Sequence, residues 1–315
     1  MQLKALTDRV QLFPGPVNIG LVLLADDRVA LIDSGLDRRQ ARHVLEILAD
    51  YRYRLDTILV THAHADHTGG CAFLQEATGC RILAGPREAP AIDHPLIQAI
   101  VLFGGAPLPE LVTPFLVADP ARATVIDEPT LHLDDLTIEV LDLPGHSIGQ
   151  IGFLVDGVAF VGDALFPEPV IKRNRLLYVF DPIEHLASLQ RLEAVPASVF
   201  VGGHFPPVTD RHSLIKANRK HVEQLFQFVR SLLTGPQTFE RILKELLGRF
   251  QLRKSGWEYF LYRSTLNGYL SALKRRGEAD CRIMDNALLW FGRTPAAPTT
   301  PASDGSTPGG KEGQP

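Results

Sequence analysis

Cysteine is scarce in this 315-residue chain. Cys71, Cys80 and Cys281 are its three, too few and too unevenly spaced for a disulfide framework or a paired-cysteine metal site. Long apolar runs are missing as well. No stretch approaches the roughly 18 uninterrupted apolar residues that a spanning helix needs. Met1–Val10, with its single Lys4, lacks the apolar centre of an export signal. These absences predict a cytoplasmic protein with no membrane partner. Glycine (26) and proline (23) are scattered without a period, which excludes a collagen-like or low-complexity chain. No repeat at a solenoid or propeller period stands out. A hydrophobic content of 45% with 22% charged residues excludes disorder throughout and leaves a globular protein of one large or two smaller domains.

The near-neutral total of −4 conceals an asymmetry: residues 1–210 carry −12, and Arg211–Pro295 carry +9. An acidic front module is joined to a basic rear one. In the front module, short β-rich runs end in turn residues: Ile19–Leu24, Val29–Ile32, Thr57–Val60, Arg81–Leu83, Thr137–Leu141, Ile151–Val155, Val158–Val161 and Val199–Val201. Helical patterns lie at Arg38–Asp50, Gly69–Thr78 and Ile183–Leu192. Asp156-Gly157, between two apolar runs, signals a hairpin. Antiparallel or mixed sheets covered by helices follow. The rear module reads as three helices, Ser213–Thr234, Phe239–Phe250 and Ser264–Arg276, then a hairpin turning at Asp285-Asn286. That is the outline of a winged helix-turn-helix. The division expected is residues 1–210, residues 211–293 and a disordered Pro/Gly/Ser/Thr-rich tail, residues 294–315.

The chemistry is concentrated where the apolar run Ile58-Leu-Val enters Thr61-His-Ala-His-Ala-Asp-His-Thr-Gly-Gly70. Alternate residues after a strand turn to one side, so His62, His64, Asp66 and His67 converge on a small volume. Four such groups in six positions would be costly together without a cation, and the glycines let backbone approach closely. Three later positions close apolar strands beside a glycine: His146 in Leu143-Pro-Gly-His, Asp163 in Phe160-Val-Gly-Asp and His204 in Val201-Gly-Gly-His.

In that order of ligands, HxHxDH, then His, Asp and His, residues 10–210 resemble the metallo-β-lactamase-fold hydrolase superfamily. The resemblance implies an α+β fold, a four-layer αββα sandwich with a two-metal site at one edge of its sheets. It implies a first metal on His62, His64 and His146 and a second on Asp66, His67 and His204, with Asp163 bridging both. Asp33, in Leu31-Ile-Asp-Ser-Gly, matches a position that supports a ligand from behind; an Asx turn is the plainer account of it. Two divalent ions roughly 3.5–4 Å apart share a hydroxide and lower the pKa of water toward ~7. Asp66, or the second metal, orients that nucleophile and assists proton transfer. Zinc is the default for so imidazole-rich a set, and iron or manganese is compatible with it.

The intact ligand set looks like hydroxyacylglutathione hydrolases, lactonases, thioesterases and phosphodiesterases, among which the motif does not discriminate. Zinc β-lactamases commonly fill the bridging position differently. After Asp163, residues Lys172, Arg173, Arg175 and Tyr178 are candidates for binding a substrate carboxylate or phosphate, against the plainer account of a solvated loop. The proline-rich insert 86–122, with the apolar stretch Leu96–Phe103, lies over the site to take an apolar acyl group, or else is ordinary packing or a dimer contact. The first functional reading is therefore a metal-dependent hydrolase of a small ester, thioester or lactone. The alternative is an endoribonuclease or phosphodiesterase whose basic rear module, with Lys274, Arg275 and Arg276, meets nucleic acid. Equally, a +9 module can simply dock on a −12 one.

Overall fold

In the computed structural model, residues 3–251 and 256–293 are described. The tail expected from residue 294 onward lies outside them. A seven-stranded sheet runs in the order β1 (Lys4–Ala5), β2 (Val10–Phe13), β3 (Ile19–Leu23), β4 (Arg28–Ile32), β5 (Arg54–Val60), β6 (Arg81–Ala84) and β7 (Ala123–Val125). Its first four strands pair antiparallel and its last four parallel. The second sheet comprises β8 (Thr130–Leu133), β9 (Leu136–Asp142), β10 (Ile151–Val155), β11 (Val158–Gly162) and β12 (Val199–Gly202), antiparallel except for the parallel pair β11 and β12. The Asp156-Gly157 hairpin forms as the sequence predicts, both residues at positive φ (49° and 75°).

The period-two alternation of the strands sorts their side chains between two cores. Val22, Ile32 and Leu59 of the first sheet meet Phe153, Val158 and Phe160 of the second. The neighbours Leu21, Leu31 and Ile58 turn outward beneath helices α1 (Arg38–Asp50), α2 (Ala65–Thr68) and α3 (Cys71–Thr78), which supply Val44, Leu48, Cys71 and Leu74. Two helices of the insert follow, α4 (Ala89–Asp93) and α5 (Leu96–Phe103), and then α6 (Glu168–Asn174). On the far side of the second sheet, Leu189 and Leu192 of α7 (Pro182–Ala194) pack on Val161 and Phe200, together with Leu214 and Ile215 of α8 (Arg211–Ser231). Helix, sheet, sheet and helix are thus stacked in four layers.

The remaining chain forms α9 (Phe239–Phe250), α10 (Gly256–Arg275) and a small antiparallel sheet, in which β13 (Gln237–Thr238) and β14 (Ala279–Met284) flank β15 (Ala287–Gly292). Helix α10 begins eight residues before the amphipathic pattern at Ser264 suggested. Leu225, Leu246, Leu270 and Leu273 build its core, and Leu176 and Val179 of the front module enter that same core. The rear basic cluster is engaged within the chain. Lys274 pairs with Asp280 at 3.0 Å, Arg275 with Asp181 at 2.6 Å, and Arg276 lies 3.8 Å from Glu278. Of these pairs, Arg275–Asp181 crosses to the front module, and the other two lie within the rear module. Among the described residues no helix is long and apolar enough to cross a membrane.

Candidate metal centre

Strands β4, β5 and β6 run parallel, so the loops after their C-terminal ends share one edge of the sandwich. Pairing of Ile32 with Leu59 sets Asp33 beside Thr61, and pairing of Val60 with Ala84 brings Glu88 to the same loop. In the second sheet, Gly162 pairs with Gly202, which sets Asp163 beside Gly203 and His204. The sheets are tied at this edge by the Ile151 N–H, which donates to the Thr61 carbonyl at 2.9 Å.

All seven side chains singled out as ligands come together. His64 Nδ1 stands 3.0 Å from His62 Nε2 and 3.0 Å from His146 Nε2. His204 Nε2 lies 3.3 Å from Asp66 Oδ2 and 3.2 Å from Asp163 Oδ2. Asp163 also reaches His67 Nε2 at 3.5 Å and His146 Nε2 at 3.6 Å. Three overlapping trios, His62/His64/His146, His62/His67/Asp163 and Asp66/His67/His204, each hold their ligand atoms within 4.8 Å of one another.

Two observations test whether this set fits metal. His67 Nε2 and Asp163 Oδ1 are buried without a hydrogen-bond partner among the described residues, a costly condition that a shared cation removes. A Cβ built on Gly203 would stand 2.4 Å from Asp163 Oδ1 and 2.6 Å from His67 Cε1, so only glycine leaves these two groups free to face each other. The residues fit a two-cation centre.

Three of the imidazoles are aimed from behind. Asp33, buried at a positive φ of 61°, accepts from the Thr61 N–H at 2.8 Å and holds His67 Nδ1 at 2.7 Å, leaving Nε2 for the centre. The Tyr178 carbonyl takes His146 Nδ1 at 3.1 Å, and the Pro16 carbonyl takes His204 Nδ1 at 2.9 Å. Electrostatics divides the set in two. Burial drives His146 down to about 3 and His62 well below its ordinary value, so both present lone pairs. Burial opposes charge on His67 too, but Asp33, Asp163 and Asp66 hold it up to about 10. Asp163 raises His204 to about 11. Asp66 is held at about 2 against its burial by His67 and His204. The carboxylates Asp33, Asp66 and Asp163 thus favour positive charge in the second half of the cluster.

Sequence reasoning missed the group that joins two of the loops. Glu88, fully buried, accepts from the Ala63 N–H at 2.8 Å, the Ser147 hydroxyl at 2.7 Å and the Gly149 N–H at 2.8 Å. A single glutamate in a proline-rich insert has no pattern to announce it. Gln150, whose Oε1 accepts from the Asp163 N–H at 3.2 Å, was equally silent.

A cavity of about 800 Å³ opens from the centre, with His64, Asp66, His146, Asp163 and His204 at one end. Arg173, Arg175 and Tyr178 line it; Lys172 does not. Lys172 forms an i,i+4 pair with Glu168 at 2.9 Å, both side chains largely exposed, because the helical turn of α6 directs it away from the cavity. The insert supplies Leu102 and Leu116, and α10 supplies Trp257 and Leu261.

Residues 12–204 match the family model of the metallo-beta-lactamase superfamily. A hydroxyacylglutathione hydrolase of Albidiferax ferrireducens is 35% identical over 179 residues, 55% of this chain and 56% of that protein. Hydroxyacylglutathione hydrolase 2 of Vibrio vulnificus is 34% identical over 148 residues, 47% of this chain and 46% of its own length. This chain thus spans about half the length of these relatives. Among solved structures, a metallo-beta-lactamase family protein of Thermus thermophilus superposes with a TM-score of 0.68 at 26% identity, covering 92% of this chain and 100% of that one. A beta-lactamase domain protein of Burkholderia ambifaria shares the fold at 19% identity, with a TM-score of 0.71, over 93% of this chain and 94% of that one. Coverage this wide takes in part of the rear helices as well as the sandwich.

Proposed function

This chain belongs to the metallo-β-lactamase superfamily, and from that premise we propose that it is a two-metal hydrolase of small thioesters or related esters. The observation that carries the reading is the buried pair His67 Nε2 and Asp163 Oδ1, which face each other at 3.5 Å without a hydrogen bond where the seven candidate side chains meet. His62, His64 and His146 would hold one divalent ion, Asp66, His67 and His204 the other, and Asp163 both; zinc suits the imidazole-rich donors. Bound there, two such ions lower the pKa of water and polarise an acyl oxygen.

The chain's own groups do the rest. Asp33, Tyr178 and Pro16 fix ring orientation through the bonds described above. Asp66, which lines the cavity, would orient a nucleophile's hydrogen. Arg173 and Arg175 would receive an anionic part of the substrate, with the ring of Tyr178 packed edge-on to His64 at 5.6 Å. The hydroxyacylglutathione hydrolases it resembles favour a thioester over a phosphodiester. We read residues 211–293 as a winged-helix-like module that covers the catalytic body of residues 1–210. Its cluster Lys274–Arg276 is held in intramolecular pairs rather than offered to phosphates.

The test is turnover of an acetyl thioester beside a labelled single-stranded RNA by metal-analysed protein. Thioester cleavage is expected, with RNA intact. Asp66→Ala and Asp163→Ala should each lose more than about a hundredfold in turnover. Asp163→Ala should also drop below two metals per chain while keeping its circular dichroism. Full activity with two metals in Asp163→Ala, or RNA cleavage that Asp66→Ala abolishes, would overturn the proposal.

A further inference from the structure

We propose that the cavity between the metal centre and α10 selects substrates with an apolar acyl chain, seated against Leu102, Leu116, Trp257 and Leu261, whose anionic leaving half lies at Arg173 and Arg175. This rests on the hydrolytic reading above and names the substrate class.

The first observation is size. At about 800 Å³ the cavity lies toward the upper end of small-molecule sites, far beyond what an acetyl or other two- or three-carbon acyl group fills. The second is the composition of the wall that α10 supplies, in which Trp257, Leu261, Tyr262 and Thr265 stand with one acidic residue, Glu258. Trp257, Leu261 and Thr265 recur at every fourth residue of α10 and line the cavity. Leu266, Tyr269, Leu270 and Leu273 of the same helix pack in the rear module's own core. Trp257 and Leu261 are not consumed by that core and stay half-buried. From the insert, Phe115 lies against Trp257, ring centroids 4.8 Å apart, and extends the apolar wall.

The wall is also held in place before substrate arrives. Arg263 donates to the Phe103 carbonyl at 3.1 Å, Tyr178 and Ser264 hydroxyls meet at 3.4 Å, and a Cβ on Gly268 would stand 2.5 Å from the Phe180 carbonyl. An apolar group that enters therefore meets a preorganised surface.

The direction of the substrate follows from exposure. Arg173 and Arg175 are exposed, and among the described residues neither pairs with a carboxylate. Arg175 directs one nitrogen to the Phe250 carbonyl and Gln251, and Arg173 Nε meets the side-chain oxygen of its neighbour Asn174 at 3.4 Å. Guanidiniums at a wet rim suit a carboxylate or phosphate. Leu102, buried, and the half-buried Leu116, Trp257 and Leu261 suit a hydrocarbon leaving water. A hydrocarbon acyl chain has no charge, so the anion belongs to the thiol or alcohol. Hydrolysis adds water's oxygen to the carbonyl carbon and breaks its bond to sulfur or oxygen. The acid keeps that oxygen and the thiol or alcohol leaves with the remaining proton, so no co-reactant is required.

The experiment uses the metal-loaded full chain and acetyl, butanoyl, hexanoyl and octanoyl thioesters of two thiols, uncharged N-acetylcysteamine and anionic 3-mercaptopropionate. We expect kcat/KM to rise about two- to fourfold per added methylene until the chain fills the wall. Leu261→Asn should flatten that rise, read as the hexanoyl-to-acetyl ratio. Arg173→Gln should reduce the preference for 3-mercaptopropionate over N-acetylcysteamine. Equilibrium binding of octanoate against acetate, by calorimetry, reads the same wall without turnover. Octanoate should bind at least about tenfold tighter, and Leu261→Asn should erase the difference. A flat or falling acyl series, or an octanoate-to-acetate ratio near one, overturns the proposal. Tighter octanoate binding without hydrolysis of any thioester would instead sink the hydrolytic reading and leave the acyl wall standing.

Discussion

Glu88 gathers three donors from two ligand-bearing loops onto one buried carboxylate, and its removal strands all three. Glu88→Ala should cost about 3–5 kcal/mol in urea unfolding and weaken metal affinity about 10–100-fold in chelator competition; a loss under about 1 kcal/mol would show that the loops do not depend on it. His185, on α7, is a different kind of buried group. Its backbone closes so tightly behind the ligand loop that a Cβ on Gly145, at a φ of 127°, would lie 2.3 Å from His185 N. Burial, with His221 close by, pulls His185 down to about 4, and burial alone does the same to His221. An unfolded imidazole titrates near about 6.5, so between those values the unfolded chain binds more protons than the folded one. Stability should be full above about pH 6.5 and fall as pH drops toward about 4, by up to about 1.4 kcal/mol per pH unit for each histidine. His185→Gln should give a shallower fall between about pH 6.5 and 4.5, because one depressed imidazole is gone. Equal slopes would refute the assignment.

At the scale of elements, what the sequence made legible follows from how local each signal is. Arg38–Asp50 and Phe239–Phe250 are read to the residue, because each opens after a side chain that caps it, Asp37 and Thr238, and each carries a continuous apolar stripe. The two hairpin turns are equally local, with Asp156-Gly157 and Asp285-Asn286 all at positive φ. Strands β1, β7 and β13 escaped because two or three residues at a sheet edge carry no alternation to detect. Strand β8, Thr-Leu-His-Leu, has little buried surface and is held by its hairpin partner β9 rather than by burial. Helix α10 was foreshortened for a physical reason. Its first turns face the cavity, so Trp257 and Leu261 do not join the core that holds Leu266, Tyr269, Leu270 and Leu273.

At the scale of the molecule, the acidic and basic halves are one packed body. Helix α8 enters two cores, with Leu214 and Ile215 against the second sheet and Leu225 and Val229 in the rear module. Along it, Asn218 both accepts from the Phe166 N–H at 3.0 Å and donates to the Phe166 carbonyl at 2.7 Å, steadying the chain just after Asp163. Truncation after residue 210 would bare Leu176, Val179 and Leu189 and remove that clamp. We expect the shortened chain to lose cooperative thermal unfolding, as followed by circular dichroism and calorimetry; a two-state transition within a few degrees of the full chain would contradict this. The sequence by itself carried the candidate ligands, the mixed sheets and, through its resemblance to a known superfamily, the expected sandwich, because imidazoles and carboxylates at strand ends and period-two alternation are local patterns. Only the tertiary structure decided that Glu88 joins two loops, that Lys172 turns away while Arg173 and Arg175 line the cavity, and that α10 lines the same cavity while Arg275 pairs with Asp181. Apart from the direction of Lys172, which one turn of α6 sets, those outcomes depend on contacts between residues tens of positions apart. No local pattern encodes such contacts, because they arise only when separate layers pack.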